Sequence, residues 1–338
     1  MSGHALVTGG SGYIGGFIIQ QLARENWQVN TTIRSLAKEA HVRAALNVPA
    51  DQLHFFAADL TNDAGWAEAV AGCSHVVHVA SPLPSGAVKD EDDLIVPARE
   101  GALRAVRFAA AAGVKRVVLT SSVAAIAYGH PTSVERFTED MWTNLNGPAV
   151  NAYAKSKTIA ERAARDWVAA NGGAMEFCSV NPSVVLGPVR SDDFSPSIEA
   201  VKKLLEGSLP GLPNLSLGIV DVRDVADLHV RALTAPNMAG ERFIASGPSM
   251  SMVQIAQTLR DHLGAEARKV PTRRLPDFVL RIAAIFDPIV RQVTGELGKT
   301  REMDATHAMT VLGWETRPPA QSVIDTARSL IDLGIVKV

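Results

Sequence analysis

The feature that most constrains this chain is a glycine-rich turn set between a strand and a helix near its start. Ala5-Leu6-Val7-Thr8 is a short β-type run, residues 13–24 carry a helical apolar pattern, and Gly9-Gly10-Ser11-Gly12-Tyr13-Ile14-Gly15 joins them. Gly9, Gly12 and Gly15 make a G-x-x-G-x-x-G spacing, one residue longer at its start than the usual dinucleotide fingerprint. The physical demands are the same. One glycine permits the tight turn, a second lets the backbone approach a pyrophosphate, and a third lets helix pack on sheet, while free N–H groups at the helix start face the phosphate. Glycines alone also make unliganded turns, but the strand–turn–helix setting favours a bound dinucleotide.

The rest of the first half repeats the rhythm. Strand-like runs at 27–33, 53–56, 75–79, 116–120 and 177–180 alternate with helical stretches, the longest at 94–112 and 152–170. Alternation of this kind predicts an α/β fold, a Rossmann-type doubly wound parallel sheet. Its strands read as continuous apolar runs because both faces are covered. After Pro182 the prolines at 188, 196, 210 and 213 predict loops and short helices. Runs at 219–222 and 242–245 are expected to return to the main sheet. Amphipathic stretches near 253–263, 278–297 and 322–333 predict a smaller, mostly helical C-terminal substrate domain. The expected division is 1–186 plus about 217–247 for the nucleotide domain, and 187–216 plus about 248–338 for the substrate domain.

Composition narrows the function classes. Of 338 residues 47% are apolar and 20% charged, enough for a large core. With 33 Lys+Arg against 35 Asp+Glu the net charge is −2, leaving no basic footprint for nucleic acid or an anionic membrane. Cys73 and Cys178 match no metal or redox spacing, and no metal site is expected. Met1-Ser2-Gly3-His4 lacks the basic and apolar regions of a signal peptide, and no apolar run reaches the ~18 residues of a membrane helix. A soluble, cytoplasmic protein without nucleic-acid or membrane partners is expected, as a monomer or as a homodimer through the two long helices.

About 20 residues past the glycine turn, an NAD-binding strand usually ends in an acid that bonds the ribose hydroxyls. Here Thr31-Thr32-Ile33-Arg34-Ser35-Leu36-Ala37-Lys38 offers Arg34 and Lys38 instead. A guanidinium grips a 2′-phosphate through parallel bonds, so the expected cofactor is NADP(H). The alternative is an ordinary solvated arginine. Asp59, before Leu60, is placed either to meet an adenine ring or to cap the next helix.

Tyr153 and Lys157 are four residues apart and share one helical face. An ammonium beside a phenol favours the phenolate and is expected to lower its pKa toward neutrality. Tyr153 is thereby a candidate general acid for a carbonyl oxygen accepting hydride. Thr120-Ser121-Ser122 follows a strand, where open α/β sheets bind ligands, and a serine there could orient the same carbonyl. A solvated lysine and ordinary turn chemistry are the plainer alternatives.

Thr8-Gly9-x-x-Gly12-x-x-Gly15, Ser122 and Tyr153-x-x-x-Lys157 together resemble the extended short-chain dehydrogenase/reductases, of the NAD(P)-dependent epimerase/dehydratase superfamily. Val76-Val77-His78-Val79-Ala80-Ser81-Pro82, Val118-Leu119-Thr120-Ser121-Ser122, Asn181-Pro182-Ser183-Val184-Val185-Leu186-Gly187-Pro188 and Val220-Asp221-Val222-Arg223-Asp224-Val225-Ala226 are similar to the dihydroflavonol 4-reductase and aldehyde/ketone reductase branch. The likeness extends to about Gly247. It implies Ser122 as catalytic serine, Tyr153 as acid, and Lys157 as its partner and ribose holder. It places Tyr13, Ile14, Arg34, Asp59, Leu60, Ala80 and Pro182 at the dinucleotide, and the neighbouring Val79, Ser81, Thr120, Val184 and Val185 complete the expected cofactor set. The crossover stretch Arg99-Glu100-Gly101-Ala102 lacks the family's asparagine. Residues 147–152 lack the aromatic and cysteine signature of cinnamoyl-CoA reductases, which counts against a CoA thioester.

The expected activity is NADPH-dependent reduction of an aldehyde or ketone. An apolar, aromatic-accepting pocket is expected between segments 127–150 and 187–217, with Phe137, Trp142, Leu145 and Leu212 beside Ser122 and Tyr153. Two alternatives stand beside it. A sugar-nucleotide dehydratase needs an acid near the serine, where Val123-Ala124-Ala125 stands, and an NAD-recycling epimerase is disfavoured by Arg34. An NADP-sensing protein without turnover would not require the Tyr-Lys pair. Gly295-Glu296-Leu297-Gly298-Lys299-Thr300 imitates a P-loop, but Val293 occupies its first glycine position. His75 and His78 face opposite sides of a strand and are read as structural. Residues 278–286 are expected to pack as a helix on the substrate domain.

Overall fold

The computed structural model describes residues 3–82, 90–191, 194–286, 290 and 294–337. Its strands are β1 (His4–Thr8), β2 (Gln28–Ile33), β3 (Leu53–Ala57), β4 (His75–His78), β5 (Arg116–Thr120) and β6 (Arg136–Phe137). They continue as β7 (Glu176–Pro182), β8 (Val184–Leu186), β9 (Ser216–Asp221), β10 (Arg242–Ala245), β11 (Ser249–Ser251) and β12 (Glu302–Met303). Seven of them form the main sheet in the order β10-β7-β5-β4-β1-β2-β3, every neighbour parallel. The order reverses between β1 and β4, which opens a crevice at the C-terminal strand ends, where such sheets bind ligands.

Helices cover both faces. On one lie α1 (Tyr13–Arg24) and α2 (Glu39–Leu46); on the other lie α3 (Trp66–Val70), α4 (Asp92–Ala111) and α5 (Ala152–Asn171). Helix α6 (Pro196–Glu206) belongs to the smaller part, and α7 (Val222–Thr234) packs beside α1. The strand pleat sends successive side chains to opposite layers. In β5, Val117 and Leu119 join the α4/α5 core while Val118 joins the α1/α7 core. That double burial is why the strand shows no polar alternation.

Two expectations are corrected. Strand β9 does not return to the main sheet; it pairs parallel with β8 and antiparallel with β11 in a separate three-stranded sheet. Apolar character marks a strand but not its neighbour, and the main-sheet edge beside β7 is taken by β10. Residues 216–221 therefore belong to this second sheet and not to the main one. After α8 (Met252–Leu263), helix α9 (Asp277–Phe286) forms, but Phe278, Ile282, Ile285 and Phe286 are 64%, 55%, 66% and 82% exposed. Contrary to expectation, much of its apolar surface is exposed among the described residues, while Ala284 is buried. The chain ends with α-helices at Thr306–Leu312 and Pro319–Asp332. No described helix is long and apolar enough to cross a membrane.

Candidate active site

The glycine turn is built for close approach. Gly9 has φ +73°, and a Cβ on it would lie 3.1 Å from Ala80 Cα; a Cβ on Gly15 would lie 2.5 Å from Gly9 O. Only glycine lets the end of β1, the exit of β4 and the start of α1 crowd in this way. Gly12 occupies the N-cap of α1 without a side-chain cap. The first-turn N–H groups of Tyr13, Ile14 and Gly15 are thus left for an anion. Tyr13's ring is buried, edge-on to Phe17 at 5.8 Å, so its backbone and not its phenol serves the cleft. Thr8 Oγ1 holds the facing wall, accepting from Val79 N–H (3.0 Å) and Ala80 N–H (3.1 Å).

A cavity of about 540 Å³ opens beside this turn, lined by Gly10, Ser11, Gly12, Tyr13, Arg34, Lys38, His41 and Arg190 among others. Arg34 and Lys38 are exposed, and neither side chain has a hydrogen bond or ion pair among the described residues. Asp59 Oδ1 accepts from Thr61 N–H (2.8 Å) and Thr61 Oγ1–H (2.6 Å), forming a tight turn and not a helix cap. Those two bonds hold its carboxyl below the usual range, with Arg34 and Arg104 adding to the effect. Leu60 lies over Gly101, where a Cβ would come within 2.8 Å of it.

The reaction end is made by β5, β7 and α5. Asn151 Oδ1 accepts from Ala154 N–H (2.9 Å) and starts α5, which fixes Tyr153 in its first turn. Ser122 caps the short turn after β5, its Oγ accepting from Ala124 N–H (3.1 Å) and facing Pro182 O at 3.5 Å. The same hydroxyl lies near enough to the Tyr153 phenol to pull its pKa down. Lys157 Nζ stands 5.9 Å from the Tyr153 ring centroid. The structure therefore brings Ser122, Tyr153 and Lys157 together. The expected phenol shift is corrected: burial raises the Tyr153 pKa above its ordinary 10, and Ser122, not Lys157, pulls against that. Lys157 is itself buried, which lowers its pKa to about 8, while Glu161 opposes the fall.

Beneath this set lies a network that the sequence reading missed. Glu161 is fully buried. Its Oε1 accepts from Ser179 Oγ (2.8 Å) and Arg242 Nε (2.7 Å), and its Oε2 from Ser121 Oγ (2.5 Å) and Asn181 Nδ2 (2.9 Å). Burial pushes its pKa up, but Arg242, Ser121 and Arg165 outweigh burial and hold it below the ordinary value. The one available signal was spacing: Glu161 follows Lys157 by four residues on the same helical face.

Several expected contacts go elsewhere. Trp142 lies under two guanidinium groups, Arg242 at 3.7 Å and Arg162 at 4.7 Å from its ring centroid, and so supports the network. Leu212 and Phe137 are 1% and 2% exposed and lie in the core. Leu145 remains half-buried in the segment before α5. Thr120 is buried and its hydroxyl meets His229 Nε2 on α7 at 2.8 Å, away from the cleft. Val185 is in the core, while Val184 lines a second cavity of about 250 Å³ with Leu186, Leu204, Leu217 and Met252. Pro182 ends β7 beside Ser122. Ser81 is half-buried just after the β4 exit. His75 meets Trp27 edge-on and His78 bonds Thr8, both structural roles.

A glycine-cradled helix start, open cations beyond β2 and a Ser-Tyr-Lys set at the strand ends define an extended short-chain dehydrogenase/reductase, a class of nicotinamide-dependent oxidoreductases. The model of the "NAD dependent epimerase/dehydratase family" matches residues 5–245, and the chain belongs to that family. Within it the chain falls with the dihydroflavonol reductase-like and aldehyde reductase-like branch. It is 34% identical over 333 residues to cinnamoyl-CoA reductase 1 of Arabidopsis thaliana, covering 97% of this chain and 89% of that one. It is 30% identical over 264 residues to dihydroflavonol 4-reductase of Gerbera hybrida, covering 75% and 71%. Among solved structures, yeast methylglyoxal/isovaleraldehyde reductase complexed with NADPH superposes with a TM-score of 0.82 at 25% identity, over 99% of this chain and 100% of that one.

Proposed function

We propose that this chain is an NADPH-dependent carbonyl reductase that converts an aldehyde or ketone to its alcohol, reversibly. The observation carrying the reading is the placement of Lys157 Nζ 5.9 Å from the Tyr153 ring at the start of α5, with Ser122 at the end of β5 near enough to act on the phenol. NADPH, when bound, supplies the hydride. Arg34 and Lys38, exposed cations whose side chains make no hydrogen bond or ion pair among the described residues, suit a 2′-phosphate, and the uncapped start of α1 suits a pyrophosphate. Ser122 orients the substrate's carbonyl oxygen. Tyr153 donates its proton to that oxygen, and the raised phenol pKa keeps the proton in place at neutral pH. Two hydroxyls aimed at one oxygen stabilise the negative charge that develops there. Lys157 holds the nicotinamide ribose and contributes positive charge beneath the phenol.

The buried apolar residues after Ser122, Ala124 and Ala125, leave no acid for a dehydratase. A thioester-reducing reading is favoured by the near full-length likeness to a cinnamoyl-CoA reductase and opposed by the unlike segment before Tyr153. The test follows NADPH absorbance with aromatic aldehydes, α-keto esters, simple ketones and a cinnamoyl thioester, with NADH in parallel. Oxidation by wild type but not by Tyr153→Phe, and slower use of NADH, is expected. Tight NADPH binding with no turnover on this panel or on nucleotide sugars would overturn the reading in favour of a sensor. Turnover of nucleotide sugars alone would overturn it in favour of an epimerase.

A further inference from the structure

Glu161 is a fully buried carboxylate with five polar neighbours, and nothing in hydride transfer as set out above uses it. We propose that Glu161, clamped by Arg242, is a positioning residue that holds Lys157 as a cation and fixes the backbone at Ser122. The inference rests on the Ser-Tyr-Lys reading of the site.

Hydrogen-bond geometry carries the first of two couplings, and the four-residue spacing of two buried groups on α5 carries the second. The first is to the serine. Glu161 Oε2 takes one hydrogen bond from Ser121, the residue before Ser122, and another from Asn181 Nδ2. The same Asn181 nitrogen donates to Ser122 O at 3.1 Å. A carboxylate thus ties β5 to β7 just behind the reacting hydroxyl. The second coupling is to the lysine, one turn back on α5. Lys157 is buried among groups that do little for its charge. From β4 it faces His78, which burial and Lys157 itself hold neutral, with a pKa pushed down to about 3. From its own helix it faces Tyr153, a neutral phenol. Around the adjoining α4, Glu91 is paired with Lys155, and Arg99 with Glu100. Among the described residues Glu161, buried one turn along the same helix, is the acid placed to support the ammonium.

Arg242 keeps Glu161 ionised and in place. Its Nη1 donates to Glu139 O and to Met141 O (2.8 Å), and its guanidinium stacks on Trp142. Arg165 stands 3.8 Å from the same carboxylate. A glutamine at 161 would offer one acceptor and one donor to a site lined by donors, and would leave Arg242 buried without a counter-ion. Glu161→Gln is therefore paired with Glu161→Gln/Arg242→Met, which removes both buried charges, and with Glu161→Asp, which keeps the acid.

The experiment measures kcat/KM against pH, and separately the pH dependence of NADPH affinity by fluorescence. A cationic Lys157 is lost as pH rises through its pKa, so wild type should show an alkaline limb near 8. Without Glu161 the limb should move acidward by about one pH unit or more, a tenfold change in proton concentration. In the same variants kcat should fall more than KM rises, and Glu161→Asp should keep the limb near its wild-type position. A variant without Glu161 that folds, is slower at every pH and keeps the wild-type limb would overturn the inference, leaving a structural role alone. Loss of the Glu161→Asp limb would overturn it too. If wild type reduces no carbonyl, the functional reading fails, while the binding profile still decides the charge coupling.

Discussion

The two ends of the cleft are built on opposite terms. At the cofactor end positive charge stands open: the Arg34 and Lys38 side chains are exposed and make no hydrogen bond or ion pair among the described residues, beside a helix start that has no side-chain cap. At the reaction end the charges are buried: Lys157 lies one turn of α5 from Glu161, and Glu161 is answered by Arg242, Ser121, Ser179 and Asn181. An open cation gains its partner only when a phosphate arrives, so its contribution appears in binding and is screened by salt. A buried, satisfied network holds its geometry beforehand, so its contribution appears in the rate. Substitutions at the first end should act on cofactor affinity, and those at the second on turnover.

The largest expected effect tests the reaction end. Tyr153→Phe removes the proton donor while keeping the ring, and kcat should fall by about 10²- to 10⁴-fold. NADPH affinity, measured by fluorescence quenching, should hold. A variant that lost cofactor binding to the same extent would break the division between the two ends.

Arg34→Ala tests the other end and should be the next largest. Loss of a charge-assisted phosphate contact should raise KM for NADPH by about ten- to hundredfold. NADH kinetics should barely change, and kcat with saturating NADPH should stay near wild type. Raised salt should weaken NADPH binding to wild type more than to Arg34→Ala. Equal losses with both cofactors would mean that Arg34 does not meet a 2′-phosphate. Gly15→Ala should act differently again, because its Cβ would press on Gly9 O at 2.5 Å. Strain of this kind costs about 1–3 kcal/mol, read as a lower Tm together with weaker binding of both NADPH and NADH.

Legibility in the sequence follows the range of the interaction. The glycine turn, the start of α1 at Tyr13 and the Tyr153/Lys157 pairing are local, set by neighbours within four residues, and all were readable. The open cations were readable because no acid stands where β2 ends. Arg242 and Glu161 are separated by 81 positions in the chain, and only the closing of β10 against β7 makes them partners. Strand β9 was visible as a strand, but its neighbours β8 and β11 depend on where the chain leaves the main sheet after Pro182. Leu212 and Trp142 were placed at the substrate because apolar character is common to pockets and cores; one lies in the core and the other lies under two arginines.

Trp142 provides the smallest effect and the finest test of where the reaction end stops. If its ring serves as a platform for Arg242 and Arg162, Trp142→Leu should cost about 0.5–2 kcal/mol of stability, seen as a lower Tm. The carbonyl substrate's KM should not move, because the ring faces guanidinium groups and not the hydroxyls of Ser122 and Tyr153. Some fall in kcat is expected, since Arg242 clamps Glu161 and would lose one of its supports. A raised KM at unchanged Tm would instead place the indole in the substrate pocket. The supporting network and the pocket wall would then be one structure, and substitutions behind the site would alter specificity as well as rate.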